Sequence, residues 1–153
     1  MPERRAPPQD LPALARLLVD SHLRLVGRPL LADGPGDLAE RLWTLPRAVV
    51  AHGIQDDPVF CYGNRLALDL FELDFAAFTA LPSRFSAEPL AREERAALLE
   101  RVSRHGFIDD YAGVRISSTG KRFHIRAATV WNLIDGEGVY RGQAASFAEW
   151  VDV

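Results

Sequence analysis

The stretch at residues 57–75, DPVFCYGNRLALDLFELDF, changes its hydrophobic period in the middle of one continuous run. Residues 59–62 alternate as a short strand does, and from Leu66 onward the apolar residues follow helical spacing. Asn64 stands between the two patterns, and Asn is a preferred helix N-cap. The stretch therefore predicts a strand that leads directly into a short helix, with Gly63 and Asn64 at the junction.

The chain divides into a short N-terminal segment and one domain. Residues 1–10 are rich in proline and lack an apolar pattern, which predicts a disordered lead-in. Residues 11–153 read as one domain. This domain opens with an amphipathic helix that Asp10 caps and whose apolar stripe contains Leu14, Leu18 and Leu25.

The rest of the chain alternates strand and helix patterns in an order that decides the fold class. Turn sequences at Asp56-Asp57-Pro58, Ser118-Thr119-Gly120 and residues 135–138 indicate tight hairpins. The expected strands are 48–52, 59–62, 111–117, 121–133 and 139–147. A second short helix, capped by Asp37, is expected to carry Leu38, Leu42 and Trp43, and the later helices are expected at 64–71, 75–79 and 91–105. This order predicts an α+β fold, with an antiparallel five-stranded sheet and helices on one face.

Five further segments make the chain resemble a known family. These are LPSRFSAEP (81–89), REERAALLERV (92–102), GFIDDYAGVRISSTGKRF (106–123), ATVWNLID (128–135) and GQAASFAEW (142–150). Together with the strand-to-helix stretch they resemble the MEKHLA domain, a PAS-related module, over about residues 17–150. The resemblance implies a PAS-like fold and a domain that occurs alone in bacterial proteins and at the C-terminus of some plant homeodomain–leucine zipper proteins.

Composition excludes several functional classes. A chain of 153 residues with 48% hydrophobic residues can bury a core without disulfides or a metal. The net charge of −3 offers no general attraction to nucleic acid or to a membrane surface. The N-terminus lacks an apolar signal core and no apolar run is long enough to span a bilayer, so we expect a cytoplasmic protein.

Strand alternation predicts which side chains face a cavity between the helices and the sheet. In residues 121–133, Phe123 and Trp131 share the face expected to meet the helices, whereas Val130 lies on the other face. The candidate ligand-binding residues are Cys61, Tyr62, Leu70, Phe71, Arg115, Phe123, Trp131 and Gln143. A mostly apolar wall with a few polar groups is typical both of small-molecule sites and of an ordinary core.

Arg115 has two alternative interpretations. If it points inward beside Gln143, its buried charge requires an anion, and the pair suits a carboxylate or a planar heterocycle. If it points outward, it forms a basic strip with Arg122 and Arg126 that suits an acidic partner surface.

Three functional hypotheses follow. The first is a non-enzymatic sensory or interaction domain that binds a small ligand, a protein partner or a second copy of itself, with Leu14, Leu18, Leu25 and Val130 as the candidate dimer or partner face. The second is a small isomerase- or hydrolase-type enzyme that uses Asp109, His105 or Arg115. The third is an interaction module with a filled core.

Cofactor motifs are sparse. Flavin-type photosensors of the PAS superfamily carry a cysteine in a G-x-N-C-R-F-L-Q run that this chain lacks, so no covalent flavin is expected. Haem is not expected either, although His105 is its formal candidate. The four histidines lie on different elements without paired spacing, and Cys61 is the only cysteine, so no metal site is predicted.

Overall fold

The strand-to-helix stretch folds as its periodicity predicts. In the computed structural model, which describes residues 11–87 and 89–153, strand β2 (Phe60–Gly63) runs into helix α3 (Arg65–Phe71) with Asn64 between them. The expected lead-in at residues 1–10, including Asp10, lies outside the described residues.

The remaining elements form an antiparallel sheet with helices on both faces. The strand order is β2-β1-β5-β4-β3, and a sixth strand also pairs with β4. The other strands are β1 (Ala48–His52), β3 (Phe107–Ile116), β4 (Arg122–Ile134), β5 (Tyr140–Phe147) and β6 (Glu149–Asp152), and the other helices are α1 (Pro12–Val26), α2 (Leu38–Trp43), α4 (Phe75–Phe78) and α5 (Pro89–His105). The expected α+β architecture is confirmed, with β6 as an additional strand. No helix in the described ranges has both the length and the apolarity needed to cross a membrane.

Asn64 connects three elements around this junction. Its side chain is fully buried, and its Oδ1 accepts hydrogen bonds from the amides of Val49 (3.0 Å) and Ala67 (3.2 Å). Its Nδ2 donates to the carbonyl oxygens of Leu42 (3.2 Å) and Arg47 (2.7 Å). The expected N-cap is thus confirmed, and the same amide also fixes the end of α2 and the start of β1.

Helix α1 covers the outer face of the sheet from within the same chain. Leu18 is fully buried there, and its carbonyl oxygen accepts a hydrogen bond from the Trp131 indole (3.2 Å). The Ser21 hydroxyl donates to the Ile134 carbonyl (2.9 Å) and accepts from the Ile134 amide (3.0 Å). His22 meets the Trp131 ring edge-on at 4.8 Å between centroids.

Among the α1 residues of the candidate dimer or partner face, this packing contradicts the expectation for Leu18. Leu18 is not available to a partner because it belongs to the core, and Leu14 and Leu25 are partly buried by the same chain. The physical reason is that one sheet face exposes enough apolar surface to bind the apolar stripe of α1 intramolecularly. On the same helix, Leu23 is 50% exposed and points away from the sheet.

Replacing Asn64 with alanine should lower the free energy of unfolding by about 3–4 kcal/mol, because the change leaves buried amide and carbonyl groups without partners. Asp74→Ala provides the matched control, since Asp74 caps α4 with one bond to the Ala77 amide (2.8 Å) and should cost about 1 kcal/mol. Urea unfolding measures both, and equal losses would contradict the assigned role of Asn64.

Leu18→Ala should destabilise the domain by about 2–5 kcal/mol, as other fully buried leucines do. Leu23→Ala, five residues further along α1, should change the stability by less than about 0.5 kcal/mol. Thermal and chemical unfolding of the two variants side by side tests the packing, and a Leu18→Ala protein as stable as Leu23→Ala would disprove it.

Candidate ligand cavity

A cavity lies between α5 and the inner face of the sheet. Its volume is about 60 Å³, and strands β1, β3, β4 and β5 supply most of its walls. The described apolar lining residues are Val50, Ala51, Phe60, Phe71, Leu98, Leu99, Ile125, Val130, Ala144, Ala145 and Phe147. The polar lining residues are His52, Ser86, Arg95, Tyr111, Arg115 and Gln143.

Arg115 on β3 points into this cavity. Its side chain belongs to the buried set, and its guanidinium donates to the Val114 carbonyl (3.0 Å) and to the Tyr111 hydroxyl (2.7 Å). The guanidinium also lies 5.2 Å from the centre of the Tyr111 ring. Arg115 therefore points inward, as the first of the two interpretations predicts. It does not form a basic strip with Arg122 and Arg126 on the outer surface.

Arg95 brings a second guanidinium to the same cavity from α5. It is half-buried and donates to the Ser83 hydroxyl (2.5 Å). Burial, and then repulsion from Arg115, lowers the pKa of Arg95 to about 10, so the group stays protonated at neutral pH. Neither arginine forms an ion pair within the described part of the chain, and the described lining contains no Asp or Glu.

His52 and Gln143 form a cross-strand pair at the opposite polar wall. They are register partners in β1 and β5, and both side chains are buried. Among the described residues, three buried side-chain polar atoms have no hydrogen-bond partner: His52 Nε2, Gln143 Oε1 and Trp43 Nε1. Two of these three atoms therefore belong to residues that line this one cavity. Buried polar groups are normally paired, so an unpaired cluster beside a cavity indicates a place for water or a ligand.

A break in the alternation of β4 decides which of its residues reach the cavity. Ala127 has a left-handed backbone (φ 52°), and at this point the strand that pairs with β4 on one side changes from β6 to β5. Before the break, Phe123 and Ile125 face α3 and α4; after it, Val130 faces α5 and Trp131 faces α1. Such a bulge shifts the side-chain parity by one residue.

The structure brings together only some of the sequence-predicted site residues. Phe71, Arg115 and Gln143 line the cavity. Phe123 and Leu70 belong to the adjoining apolar core and are not among the residues that line the cavity.

Four placements need correction. Cys61, Tyr62 and Trp131 lie on the opposite face of the sheet, in the cluster beneath α1. Val130, expected on the outer partner face, lies on the cavity side. The bulge at Ala127 explains why Trp131 and Val130 lie on the faces opposite to those expected. Cys61 and Tyr62 belong to the edge strand β2, from which Phe60 reaches the cavity instead. Burial raises the pKa of the Cys61 thiol to about 11, which keeps it in its unreactive protonated form.

Sequence reasoning missed four polar lining residues, Ser86 among them, and the other three each left a signal. Arg95 lies three residues before Leu98 and seven before Val102, which is the spacing of one helix face. His52 alternates with Val50 in β1, and Tyr111 shares the face of Arg115 four residues away. In each case a charged or polar residue within an apolar stripe indicated a side chain that faces the cavity.

The candidate acid–base residues of the enzyme hypothesis lie outside the cavity. His105 and Asp109 are exposed near the end of α5, where Asp109 approaches Arg28 at 3.5 Å. Over residues 11–87 and 89–153, no three metal-ligating side chains form a group.

The architecture defines a PAS-like fold. It is similar to the PAS domain of a Colwellia psychrerythraea protein, with a TM-score of 0.60 and 14% identity over 75% of this chain and 92% of that one. It is also similar to the light-state dimer structure of the fungal blue-light photoreceptor Vivid, with a TM-score of 0.58 and 17% identity over 86% and 93%. At these identities the likeness concerns the fold alone.

The chain belongs to the MEKHLA domain family, whose model matches residues 12–152. It is 24% identical over 144 residues to the homeobox-leucine zipper protein HOX9 of Oryza sativa subsp. indica, covering 92% of this chain and 17% of that protein. It is 24% identical over 127 residues to ATHB-15 of Arabidopsis thaliana, covering 81% and 15%. The chain therefore spans about a sixth of the length of these relatives.

Ala127→Gly should raise the free energy of unfolding by about 0.5 kcal/mol, because glycine adopts a left-handed backbone without steric cost and the Ala127 side chain is exposed. Ala128→Gly, at the fully buried neighbouring position, should lower it by about 1 kcal/mol or more. Chemical unfolding compares the two variants. A loss of similar size at both positions would argue against the bulge.

Proposed function

We propose that this domain is a non-enzymatic sensor that binds a small molecule in the cavity between α5 and the sheet. The observation that carries the proposal is the pair of buried acceptor atoms, His52 Nε2 and Gln143 Oε1, without a partner in one cavity. Two unpaired acceptors and two inward guanidiniums around one space would destabilise a filled structural core, because each unpaired polar group reduces stability.

The size of the cavity restricts what it accepts. One water molecule needs roughly 10–15 Å³, so about 60 Å³ accommodates about four to six atoms of that size. Pockets for drug-sized ligands are roughly 300–1,000 Å³. The residues present therefore do not fit a flavin or a haem, and Cys61 lies on the other face of the sheet.

Output is proposed to pass through contact with another polypeptide. One of the similar solved structures is a light-state dimer, and several relatives are homeobox-leucine zipper proteins. Both observations support partner contact or self-association for domains of this kind. Helix α5 is the element best placed to respond, because the Gln143 amide donates to Leu99 (3.3 Å) and Ser103 (3.2 Å) on it. Its surface and that of α1 are the expected contact regions.

Native mass spectrometry of the protein purified from cells, followed by denaturation, tests for a bound compound. Thermal-shift screening against a metabolite library extends the test to ligands lost during purification. We expect a mass released on unfolding, or compounds that raise Tm. In either case Ala145→Leu should abolish the effect, because it places a larger side chain in the cavity.

Ala97→Leu, on the exposed side of α5, is the matched control and should bind as the native protein does. The proposal is overturned if no compound is released or raises Tm. It is also overturned if the binding that is found survives Ala145→Leu unchanged.

A further inference from the structure

We infer that the ligand is a small hydroxycarboxylic acid, whose carboxylate meets Arg95 and Arg115 and whose hydroxyl donates to His52 or Gln143. This inference rests on the proposed ligand-binding function and names its chemical class. It follows from the charges, the hydrogen-bond polarity and the size of the cavity, taken in turn.

The charge of the cavity selects an anion. Arg115 uses two of its five N–H groups on neutral oxygens, and Arg95 donates to one hydroxyl. Asp57, a carboxylate near Arg95, is already paired with Arg84 at 3.0 Å. Two guanidiniums in one partly buried space repel each other, and a carboxylate that accepts from both offsets this repulsion.

The hydrogen-bond polarity of the opposite wall selects a donor. The Nδ1 atom of His52 lies 3.0 Å from the Gly53 carbonyl, which can only accept, so Nδ1 carries the proton and Nε2 of the neutral ring is an acceptor. Burial lowers the pKa of His52, which favours this neutral ring.

The orientation of the Gln143 amide is fixed by its surroundings. Its Nε2 contacts the Leu99 carbonyl and the Asn132 Oδ1 (3.0 Å), and Asn132 in turn donates through Nδ2 to the Val102 carbonyl (3.0 Å). Turning the amide over would place its oxygen against these two acceptors, with only the Ser103 hydroxyl (3.2 Å) able to donate, so the observed orientation, with Oε1 unpartnered, is the favoured one. Both orphaned atoms therefore require donors.

A hydroxyl is the donor that fits this cavity, and its one proton satisfies one of the two acceptors. An ammonium group would be repelled by the two guanidiniums, and a fused planar heterocycle exceeds a cavity that holds about four to six atoms. Glycolate and L-lactate combine a carboxylate with a hydroxyl and have the required size. Water alone can also satisfy two acceptors, and the experiment separates that case.

Three probes dissect the recognition: L-lactate, propionate, which lacks the hydroxyl, and lactamide, which lacks the charge. Isothermal titration calorimetry should give a Kd for L-lactate at least tenfold below those of the other two. Arg115→Met and Arg95→Met should each weaken L-lactate binding at least tenfold, and Arg101→Met on the exposed side of α5 should leave it unchanged.

His52→Phe should reduce the preference for L-lactate over propionate while propionate still binds, which separates lost recognition from lost folding. If Arg115→Met does not fold, the half-buried Arg95 keeps the charge test available.

Equal binding of lactamide and L-lactate would overturn the inference. So would Ala145-dependent binding that is confined to uncharged compounds, although the ligand-binding function would then stand. A cavity that binds neither the three probes nor any library compound holds only water, and both proposals would fail.

Discussion

The rest of the fold depends on one buried amide, that of Asn64. Each of its two donors and each of its two acceptor positions has a backbone partner, and these partners belong to α2, β1, α3 and the turn before β1. Because the group is fully buried, a misplaced strand or helix would leave it unpaired at considerable cost. The register of β1 against β2 and β5 follows, and with it the inward direction of Val50 and His52.

Two separate cores result from this frame. Helix α1 buries one face of the sheet through Leu18, Ser21 and His22, while α3 and α4 bury part of the other through a group of phenylalanines. Between that second core and α5 the packing leaves the polar cavity. Gly142 allows β5 to approach β1 there, since an added Cβ would lie 2.0 Å from the His52 carbonyl oxygen.

Sequence patterns predicted the elements and the fold class because alternation and capping are local. They did not predict which face of the sheet each β4 side chain occupies beyond Ala127. A bulge shifts the alternation by one residue and leaves no mark in the composition. The same limit misplaced Trp131 and Val130. The extra strand β6 continues the direction of β5 after one bend, which alternation over four residues is too short to indicate. Arg115 and Gln143 were predicted because a charged or amide side chain stands out in an apolar run. Predicting Arg95 required knowing which face of α5 meets the sheet, and predicting His52 required the pairing of β1 with β5.

The most direct test of the account is NMR of the arginine Nε–Hε groups during a titration with L-lactate. If two guanidiniums from different elements build one anion site, the signals of Arg95 and Arg115 should move together and saturate at one Kd. The signal of Arg101, on the exposed side of α5, should stay in place. Saturating shifts at surface arginines with none at Arg95 and Arg115 would contradict the account.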